Sequence, residues 1–374
     1  MKYKILLWEN IPSIHHQGFI KALIDKNIDI QARYFEKFHN ERKKQKWNIE
    51  LIEGVEECVE DNVEVALQTV KDWRERIHII PGNSYKFINE LLEVLIKNDI
   101  KWIHWSERSG IRLMKKLNYN EFLFNMFHPL SVKIKKRKYA KLINKYALGA
   151  FAQGYLAKED FKLWGIDEKK IEYLFYTIDT TSYITKKVED IKNNKKVFLY
   201  IGSLSFRKGI DILLKSFLKV QNKDWKLILI GPDFSNGEYQ NFVKDNNIKN
   251  VEFLGPKDST DIINYMKQAD VFILPSRFDG WGAVLNEAAF AKKPIISTTQ
   301  TGAAYHLIEP NKNGFRIISG NQKELSKAME FFIKNPEKID IYSENSGKIY
   351  KNFTPEKNVE RLINAIDKWM KKGN

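Results

Sequence analysis

Residues 275–287 combine a glycine-rich turn with two carboxylates where a strand gives way to a helix. The apolar run 271–274 predicts a buried strand, and the apolar pattern of 283–290 predicts a helix. A glycine turn that leads into a helix presents unpaired N–H groups and a positive dipole end, which together bind phosphate. Asp279 and Glu287 flank this turn. Because carboxylates repel phosphate, we expect both to accept hydrogen bonds from hydroxyl groups, and the turn is typical of a sugar-nucleotide site.

Two further blocks, 198–211 and 227–232, repeat the order of strand, glycine and following helix. In the first block, Arg207 and Lys208 follow a strand that ends at Gly202. We expect both cations in the crevice beyond the carboxyl end of that strand, where open α/β sheets bind ligands. A diphosphate leaving group gains negative charge as its bond to the sugar breaks. Fixed cations there stabilise the transition state more than the ground state, so the pair is predicted to be catalytic.

Together, the three blocks resemble the donor site of the family 4 retaining glycosyltransferases. The resemblance rests on two acids with seven residues between them after Pro275, on Gly-x-Gly within that interval, and on 291–296 followed by Thr301 and Gly302. It covers the region from about residue 195 to about residue 320. It implies an α/β protein with the GT-B architecture, in which two Rossmann-like domains face a central cleft. In that architecture the last helix crosses back to the first domain.

The resemblance also implies a function. It predicts a hexosyltransferase that moves a sugar from a nucleoside diphosphate donor to a glycan or lipid-linked acceptor, with retention of anomeric configuration. A UDP-sugar is favoured as co-substrate, and a GDP-sugar is the alternative. We expect neither a cofactor nor a metal, because cationic side chains and backbone N–H groups would neutralise the diphosphate.

Site roles follow from the resemblance residue by residue. Lys208 and Arg207 would stabilise the diphosphate, Asp279 would contact the transferred sugar, and Glu287 would bind the ribose. The chain departs from the family pattern at Ser203, where many relatives carry an arginine, and at Asp279, where most carry a glutamate. Arg207 would then supply the second cation. The remaining donor-binding positions are Gly202, Ser203, Gly255, Lys257, Gly280, Trp281, Gly282, Ala283 and Val284.

The first half of the chain offers four candidates for the acceptor or the reacting centre. His15 and His16 follow the first predicted strand, where relatives carry a glycine-rich loop. His104 and Glu107 end another strand, which is predicted to face the cleft. Strand alternation places His104 and Ser106 on one face and Glu107 on the other. A purely structural role is the alternative for each histidine, and Glu107 is assigned a positioning or acceptor role.

Composition limits the class of protein. The 374 residues suffice for two domains, and no run of eighteen apolar residues predicts a membrane span. The first residues indicate a strand and not a signal peptide. Cys58 is the only cysteine, which excludes an internal disulfide and a cysteine-based zinc site. We therefore expect a cytoplasmic protein.

Apolar runs alternate with helical patterns along the whole chain, which favours parallel sheets covered by helices. A polar stretch without periodicity at 177–194 is the predicted linker. The expected parts are a first, acceptor-side domain at 1–180, a nucleotide-sugar domain at 181–352 and a terminal helix at 353–374. Strands are predicted at 4–8, 28–34, 77–81, 102–105, 149–153 and 197–201, and helices at 19–26, 85–97, 211–220 and 359–372.

The net charge of +15 is concentrated in one segment. The apolar stretch 122–127 precedes seven Lys and Arg residues within 133–145, with no acid among them. Such a combination favours an interfacial segment on anionic lipid, and predicts a protein peripheral to the inner face of the cytoplasmic membrane. A solvated basic helix is the alternative. Nucleic acid is not an expected partner, because no nucleic-acid motif accompanies the charge.

Two other functions remain open. A sugar-nucleotide epimerase shares this fold, although the sequence offers no acid/base pair for it. An inactive homologue that serves as a membrane-associated scaffold is the second alternative. The presence of Lys208, Asp279 and Glu287 speaks against the scaffold.

Overall fold

The first domain is a parallel sheet with helices on both faces. The computed structural model describes residues 3–36, 50–180, 195–220 and 222–371. The sheet runs in the order β3-β2-β1-β4-β5-β6-β7. Its strands are β1 Lys4–Glu9, β2 Asp29–Tyr34, β3 Glu56–Cys58, β4 Ile77–Ile80, β5 Trp102–Ser106, β6 Gly149–Ala152 and β7 Ile171–Tyr173. Its helices are α1 Ile14–Asp25, α2 Val63–Gln68, α3 Lys86–Lys97, α4 Ile111–Lys116, α5 Glu121–Tyr146 and α6 Tyr155–Trp164.

The second domain repeats this architecture, with the strand order β10-β9-β8-β11-β12-β13. Its strands are β8 Lys196–Ile201, β9 Trp225–Ile230, β10 Val251–Phe253, β11 Val271–Leu274, β12 Ile295–Thr298 and β13 Gly314–Ile317. Its helices are α7 Ile210–Val220, α8 Glu238–Asp245, α9 Ser259–Gln268, α10 Val284–Phe290, α11 Ala304–Leu307, α12 Gln322–Lys334 and α13 Lys338–Tyr350. Because helices cover both faces, the central strands are apolar throughout, and all four residues of β11 are buried.

In the second sheet, β8 lies between β9 and β11, so the chain leaves β8 in one direction and later returns on its other side. This reversal of strand order opens a crevice at the carboxyl ends of β8 and β11. Open α/β sheets bind ligands at such a point. The fold therefore directs the loops after β8 and β11 into one crevice.

The last helix, α14 Pro355–Lys371, crosses back to the first domain. Its apolar face joins the same hydrophobic core as β1, α1 and β2. The Trp369 ring lies 5.0 Å from the ring of Phe151 in β6. Both the two-domain α/β fold and the crossing helix predicted from the sequence are confirmed.

The predicted strands agree with the structure to within one or two residues, whereas the first helix differs. It begins at Ile14, about five residues earlier than predicted, so His16 and Gln17 lie in helix α1 and not in a loop. Of the predicted linker, residues 181–194 lie outside the described part of the chain. Among the described residues, no helix is both long enough and apolar enough to cross a bilayer.

Candidate functional site

A cavity of about 410 Å³ lies at the carboxyl ends of β8, β9 and β11, between the two domains. Most of its wall comes from the second domain. The first domain contributes Ser13, in the loop after β1, and Glu107, in the loop after β5. Tyr176 lines it from the segment after β7. The predicted site residues on its wall are Gly202, Ser203, Arg207, Lys208, Lys257, Asp279, Gly282, Ala283, Val284, Glu287 and Glu107.

Two cations and a carboxylate meet on this wall. Lys208 Nζ donates a hydrogen bond to Asp279 Oδ2, and Arg207 Nη1 lies 3.9 Å from Asp279 Oδ1. Ser276 Oγ also donates to Asp279 Oδ2, at 3.2 Å. Arg207 also donates to the carbonyl oxygen of Phe278 at 3.0 Å. The turns after β8 and β11 therefore place fixed positive charge in the cavity, with Asp279 holding both cations.

The surroundings of Asp279 keep it ionised. Burial alone would raise the pKa of this carboxyl, but the charges of Lys208 and Arg207 and the hydrogen bonds from Lys208 and Ser276 outweigh burial. The pKa of Asp279 consequently lies below its usual value. The predicted contact of Asp279 with a sugar hydroxyl therefore competes with an ion pair that the sequence did not indicate.

Arg277, which the sequence analysis did not single out, holds the turn that carries the cations. This turn is a short 3₁₀ helix at Phe206–Lys208. Arg277 Nη1 donates to the carbonyl oxygen of Phe206 at 2.7 Å, and the guanidinium forms two hydrogen bonds with the carboxylate of Asp211, at 2.6 and 2.8 Å. It also lies 3.8 Å from the centre of the Phe206 ring. The arginine is buried, so it stabilises the backbone of Arg207 and Lys208.

The turn after β11 leads into α10 through Gly282. With a φ of +87°, Gly282 adopts a backbone conformation that L-residues with a side chain rarely enter. Glu287 stands in the first turn of α10 and lines the cavity. The Leu285 amide donates to the Gly282 carbonyl at 2.9 Å, so the helix begins tightly behind the glycine. This geometry places Glu287 on the same wall as Lys208, as predicted.

Glu107 approaches the second domain at Gly280. A Cβ atom at Gly280 would lie 1.9 Å from Glu107 Oε2, so only glycine leaves room for this carboxyl. Burial and, after it, the charge of Asp279 raise the pKa of Glu107, which lies at about 7. Lys208, Arg207 and a hydrogen bond with Tyr176 oppose that rise. Among the carboxyls of the cavity wall, Asp279 is thus ionised, whereas Glu107 titrates near neutral pH.

Three predicted donor-site positions lie behind the wall and not on it. Trp281 is fully buried, stacks on Phe175 with ring centroids 5.5 Å apart, and donates from Nε1 to Asn286 at 2.8 Å. The carbonyl of Gly255 accepts a hydrogen bond from the Gly231 amide at 3.0 Å. Gly280, the third, packs against Glu107 as described above. The Trp281 and Gly255 contacts shape the wall.

The structure places His104 in the core and not on the cavity wall, which favours the structural role that was the alternative for it. His104 is fully buried: its Nε2 contacts Ser106 Oγ at 2.9 Å and its Nδ1 contacts the Tyr139 hydroxyl at 3.1 Å. Alternation did place it with Ser106, but that face lies under α5 and not in the cleft. Burial, with the nearby charge of Lys136, lowers the pKa of His104 to about 3. His104 is therefore a neutral core residue at physiological pH.

The other two histidines lie on α1. His16 is buried, with its ring 5.3 Å from that of Trp105 and 5.0 Å from that of Tyr176. It packs behind Tyr176 and is not among the described residues that line the cavity. The side chain of His15 lies outside the described part of the structure.

Some residues of the cavity wall lie in less distinctive segments and were not predicted from the sequence. Ser13 and Tyr176 line the cavity but follow strands without a motif. A usable signal existed for Ser13, because it follows the carboxyl end of β1, the edge at which parallel sheets bind ligands. Tyr176 lies in an irregular segment and offered no such signal.

One region of the second domain matches a known protein family. Residues 183–349 match the family described as glycosyl transferases group 1. An uncharacterised glycosyltransferase of Methanocaldococcus jannaschii is 29% identical over 159 residues, which are 42% of this chain and 44% of that protein. An N-acetylgalactosaminyltransferase of Campylobacter jejuni, named for a diphospho-undecaprenol-linked substrate, is 22% identical over 268 residues, or 68% of this chain and 72% of that protein.

The fold has a counterpart among solved structures. Anabaena HepE, solved in complex with UDP and glucose, superposes with a TM-score of 0.71 at 16% identity, covering 98% of this chain and 99% of that one. At this identity the likeness concerns the fold.

The structural neighbours are GT-B proteins, so the chain has the GT-B fold. Residues 183–349 in its second domain match the glycosyl transferases group 1 family, and the relatives that match this part of the chain are named as glycosyltransferases. The chain spans less than half the length of the first two curated relatives, 44% and 48%.

Proposed function

We propose that this protein is a hexosyltransferase that moves a sugar from a nucleoside diphosphate donor, a UDP-sugar foremost, to a glycan or lipid-linked acceptor with retention of configuration. One observation carries the proposal. Lys208, Arg207, Asp279 and Glu287 converge on a cavity between two domains of the GT-B fold. This is the set of groups that a diphosphate flanked by a sugar and a ribose requires.

Donor binding would exchange the partners of the cations. The diphosphate would bind Lys208 and Arg207, which in the unliganded protein face Asp279. Asp279, once released from Lys208, would accept a hydrogen bond from a hydroxyl of the sugar, and Glu287 would accept one from the ribose. Negative charge then grows on the leaving diphosphate as the bond to the sugar breaks. Because the cations are already fixed by Arg277 and Phe278, they stabilise that charge without reorganising.

Glu107 stands on the acceptor side of the same cavity. Its carboxyl belongs to the first domain and reaches the sugar end of the site near Asp279 and Gly280. With a pKa raised to about 7, part of the population is protonated at neutral pH and can donate as well as accept a hydrogen bond. We assign Glu107 the positioning of a sugar or acceptor hydroxyl. For retention, the leaving diphosphate would take the proton of the acceptor hydroxyl on the same face of the sugar.

The relatives are consistent with these assignments. HepE was solved with UDP and glucose, and the Campylobacter relative is named for a substrate linked to diphospho-undecaprenol. The first supports a UDP-sugar donor, and the second supports a lipid-linked acceptor. We further propose that turnover needs neither cofactor nor metal, since Lys208 and Arg207 supply the positive charge. Turnover that persists after chelation with EDTA would support this part of the proposal.

A lipid-linked acceptor requires access to a membrane, and α5 offers the surface for it. We propose that the protein binds the anionic inner face of the cytoplasmic membrane through this helix. The described large apolar residues exposed on it are Phe122, Met126, Phe127, Leu130, Ile134, Leu142 and Tyr146. The exposed cations on it are Lys133, Lys135, Arg137, Lys138, Lys141 and Lys145. Apolar side chains enter the boundary of a bilayer, and each nearby cation adds on the order of 1 kcal/mol on an anionic surface.

A donor panel tests the function. The purified protein is incubated with UDP-, GDP- and ADP-sugars, and release of free nucleotide is measured with and without a lipid-linked glycan acceptor. Nucleotide release or sugar transfer supports the proposal. Interconversion of sugar nucleotides without release would instead identify an epimerase. The absence of nucleotide release, sugar transfer and interconversion with every donor would favour a non-catalytic scaffold.

A further inference from the structure

Helix α5 carries an apolar row that runs past an internal proline. Phe122, Met126, Leu130 and Ile134 recur every fourth residue and are exposed by 76%, 53%, 62% and 68%. Residues four apart lie on one face of a helix. Pro129 falls in the middle of this row and lacks the N–H that would bond to the preceding turn. The helix therefore bends most easily there, between a first part, 121–128, and a second part, 130–146.

The second part of α5 belongs to the first domain. Val132, Tyr139, Ala140 and Ile143 are buried in the hydrophobic core of that domain. His128, next to the proline, is also buried, and its Nε2 contacts Asp160 of α6 at 2.7 Å. The region around Pro129 and the second part of α5 are thus fixed to the first domain.

The first part of α5 packs against the second domain. The carboxylate of Glu121 accepts hydrogen bonds from Thr299 Oγ1 at 2.8 Å and from the Ser319 amide at 2.9 Å. The ring of Phe124 lies 5.8 Å from that of Phe278. Phe124 and Phe278 form, with Met114 and neighbouring residues of α4, a small cluster separate from the core of the first domain. The helical hairpin of α4 and the first part of α5 is therefore packed directly against the second domain.

This contact reaches the loop that carries the catalytic candidates. Phe278 immediately precedes Asp279, and its carbonyl accepts the hydrogen bond from Arg207. The Asp279 amide donates to the carbonyl of Gln300 at 2.9 Å. Arg108 Nη1, in the first domain, donates to the side chain of the same Gln300 at 2.5 Å. The first part of α5 and the donor-site loop 276–281 are consequently one connected unit.

We propose that binding of α5 to an anionic bilayer aligns the two parts of this helix and holds the hairpin of α4 and the first part of α5 against the donor-site loop 276–281. This contact then activates sugar transfer at the membrane. A surface shifts a conformational equilibrium only if it binds one arrangement better. The apolar row is continuous across Pro129 only when the two parts are aligned, so a bilayer favours that arrangement. Lys138 extends the same row four residues beyond Ile134, and α5 has no acid after Glu121, which selects an anionic surface. This inference rests on the proposed function and names its regulation.

Hydrogen–deuterium exchange of the full chain tests the coupling without any donor. Amide exchange is followed by mass spectrometry with vesicles of phosphatidylcholine alone and with vesicles that also contain phosphatidylglycerol. Ser276, Arg277 and Phe278 are buried, so a vesicle does not shield them directly. We expect anionic vesicles to slow exchange of 276–281 roughly fivefold or more, the lower range of typical coupling energies, and neutral vesicles to leave it unchanged.

Variants separate the binding of the protein to vesicles from the effect of that binding on the donor-site loop. Glu121→Ala keeps the exposed row, so it should still sediment with anionic vesicles but should lose the slowed exchange at 276–281. Thr299→Val removes the hydroxyl donor to Glu121 but leaves the Ser319 amide bonded to it, so this variant should lose part of the slowed exchange. The double variant Phe122→Ser, Met126→Ser should lose the slowed exchange because the bilayer no longer holds the first part of α5. Ile341→Ser, an equally exposed apolar residue on α13, is the matched control and should match the wild type.

The outcomes distinguish this inference from the proposed function. Slowed exchange of 276–281, together with a rise of turnover on anionic vesicles of about the same factor, supports the coupling. Vesicle binding with unchanged exchange at 276–281 overturns it, as does the absence of vesicle binding. A protein that shows the coupling but turns over no donor would contradict the proposed function and leave the membrane coupling standing.

Discussion

At the scale of single residues, Lys208 and Arg207 share the cavity with Asp279 and Glu107, two carboxyls that differ in charge state. Lys208 and Arg207 hold Asp279 ionised, whereas burial and the charge of Asp279 keep Glu107 partly protonated. A second full negative charge would repel a diphosphate. The raised pKa of Glu107 therefore matters for donor binding as well as for hydrogen bonding to hydroxyls.

Lys208→Gln removes the cation closest to Asp279. We expect turnover to fall about 10²- to 10³-fold, the usual loss when a fixed group that stabilises transition-state charge is removed. Initial rates of nucleotide release at saturating donor measure the effect. Lys348→Gln, on the exposed surface of α13, is the matched control and should turn over like the wild type. Equal rates for Lys208→Gln and the control would contradict the role of Lys208.

Glu107 predicts a pH dependence of donor affinity. A bound diphosphate raises the pKa of a neighbouring carboxyl, so the protonated form of Glu107 binds the donor more tightly. Affinity for UDP should consequently weaken as the pH rises through about 7, the pKa of Glu107 in the free protein. In Glu107→Gln, which is neutral throughout, this part of the pH dependence should vanish.

Titration calorimetry at several pH values, with both proteins in the same buffers, measures this difference. The titration of UDP itself cancels in the ratio of the two affinities. A ratio that stays constant from acid to alkaline pH would show that Glu107 does not face the bound diphosphate.

The residue types at the site were predictable from sequence, but their pairing was not. Lys208, Asp279 and Glu287 stand in motifs whose spacing fixes them near one turn. The ion pair between Lys208 and Asp279 depends on the distance between β8 and β11, which are 70 residues apart along the chain. Arg277 was missed for the same reason, because its partners Phe206 and Asp211 follow a different strand.

At the scale of elements, the site depends on two loops from different domains that touch. The loop after β5 brings the carboxyl of Glu107 against Gly280 in the loop after β11. The contact is close enough that the backbone of one loop fixes the side chain of the other.

Gly280→Ala should disturb this contact. The new methyl group would lie 1.9 Å from Glu107 Oε2, so the carboxyl or the loop must move. We expect a loss of stability of about 1–3 kcal/mol, typical of overpacking, and weaker UDP binding. Thermal unfolding and calorimetry measure the two effects.

Removing the carboxyl provides the control for Gly280→Ala. In the Glu107→Ala background the added methyl group meets no oxygen, so Gly280→Ala should cost little there. If the alanine costs as much without Glu107 as with it, the two loops are not coupled through this contact.

The bounds of an element were predicted correctly where a single interaction decides them. The predictions were wrong where several interactions compete. Strands such as β8 and β11 follow from short apolar runs buried on both faces. The start of α1 was placed too late because His16 and Gln17 do not continue an obvious apolar pattern, although Ile14 already begins the helix. Helix α5 continues through Pro129, since burial of residues on both sides offsets the missing hydrogen bond.

At the scale of the whole molecule, α14 joins the two domains. The helix follows the second domain in sequence but packs its apolar face into the core of the first, against α1 and β6. Trp369 fits against Gly149, where any side chain would collide with the indole ring. The two domains are therefore linked twice. The segment after β7 connects them along the chain, and α14, which follows the second domain, packs into the core of the first.

Trp369→Ala should destabilise the first domain selectively. Loss of a buried tryptophan costs about 3–5 kcal/mol in a well-packed core. We expect a lower melting temperature with an earlier transition for the first domain, while UDP binding persists because the second domain supplies most of the cavity wall. Differential scanning calorimetry with and without UDP measures both effects. A single unshifted transition would show that α14 contributes little to the first domain.

The two-domain plan was predictable from the alternation of apolar runs and from the three donor-site blocks. Of the first-domain part of the cavity wall, only Glu107 was predicted, because Ser13 and Tyr176 belong to no motif and His104 lies in the core. A cleft wall is set by how two domains meet, and single-sequence periodicity carries no information about that meeting.

A crystal structure of the protein with UDP would show where the nucleotide binds. We expect the diphosphate within hydrogen-bond distance of Lys208 and Arg207, with the ion pair between Lys208 and Asp279 opened and Glu287 facing the ribose. Nucleotide bound outside this cavity, or a diphosphate that leaves both cations paired with Asp279, would contradict it.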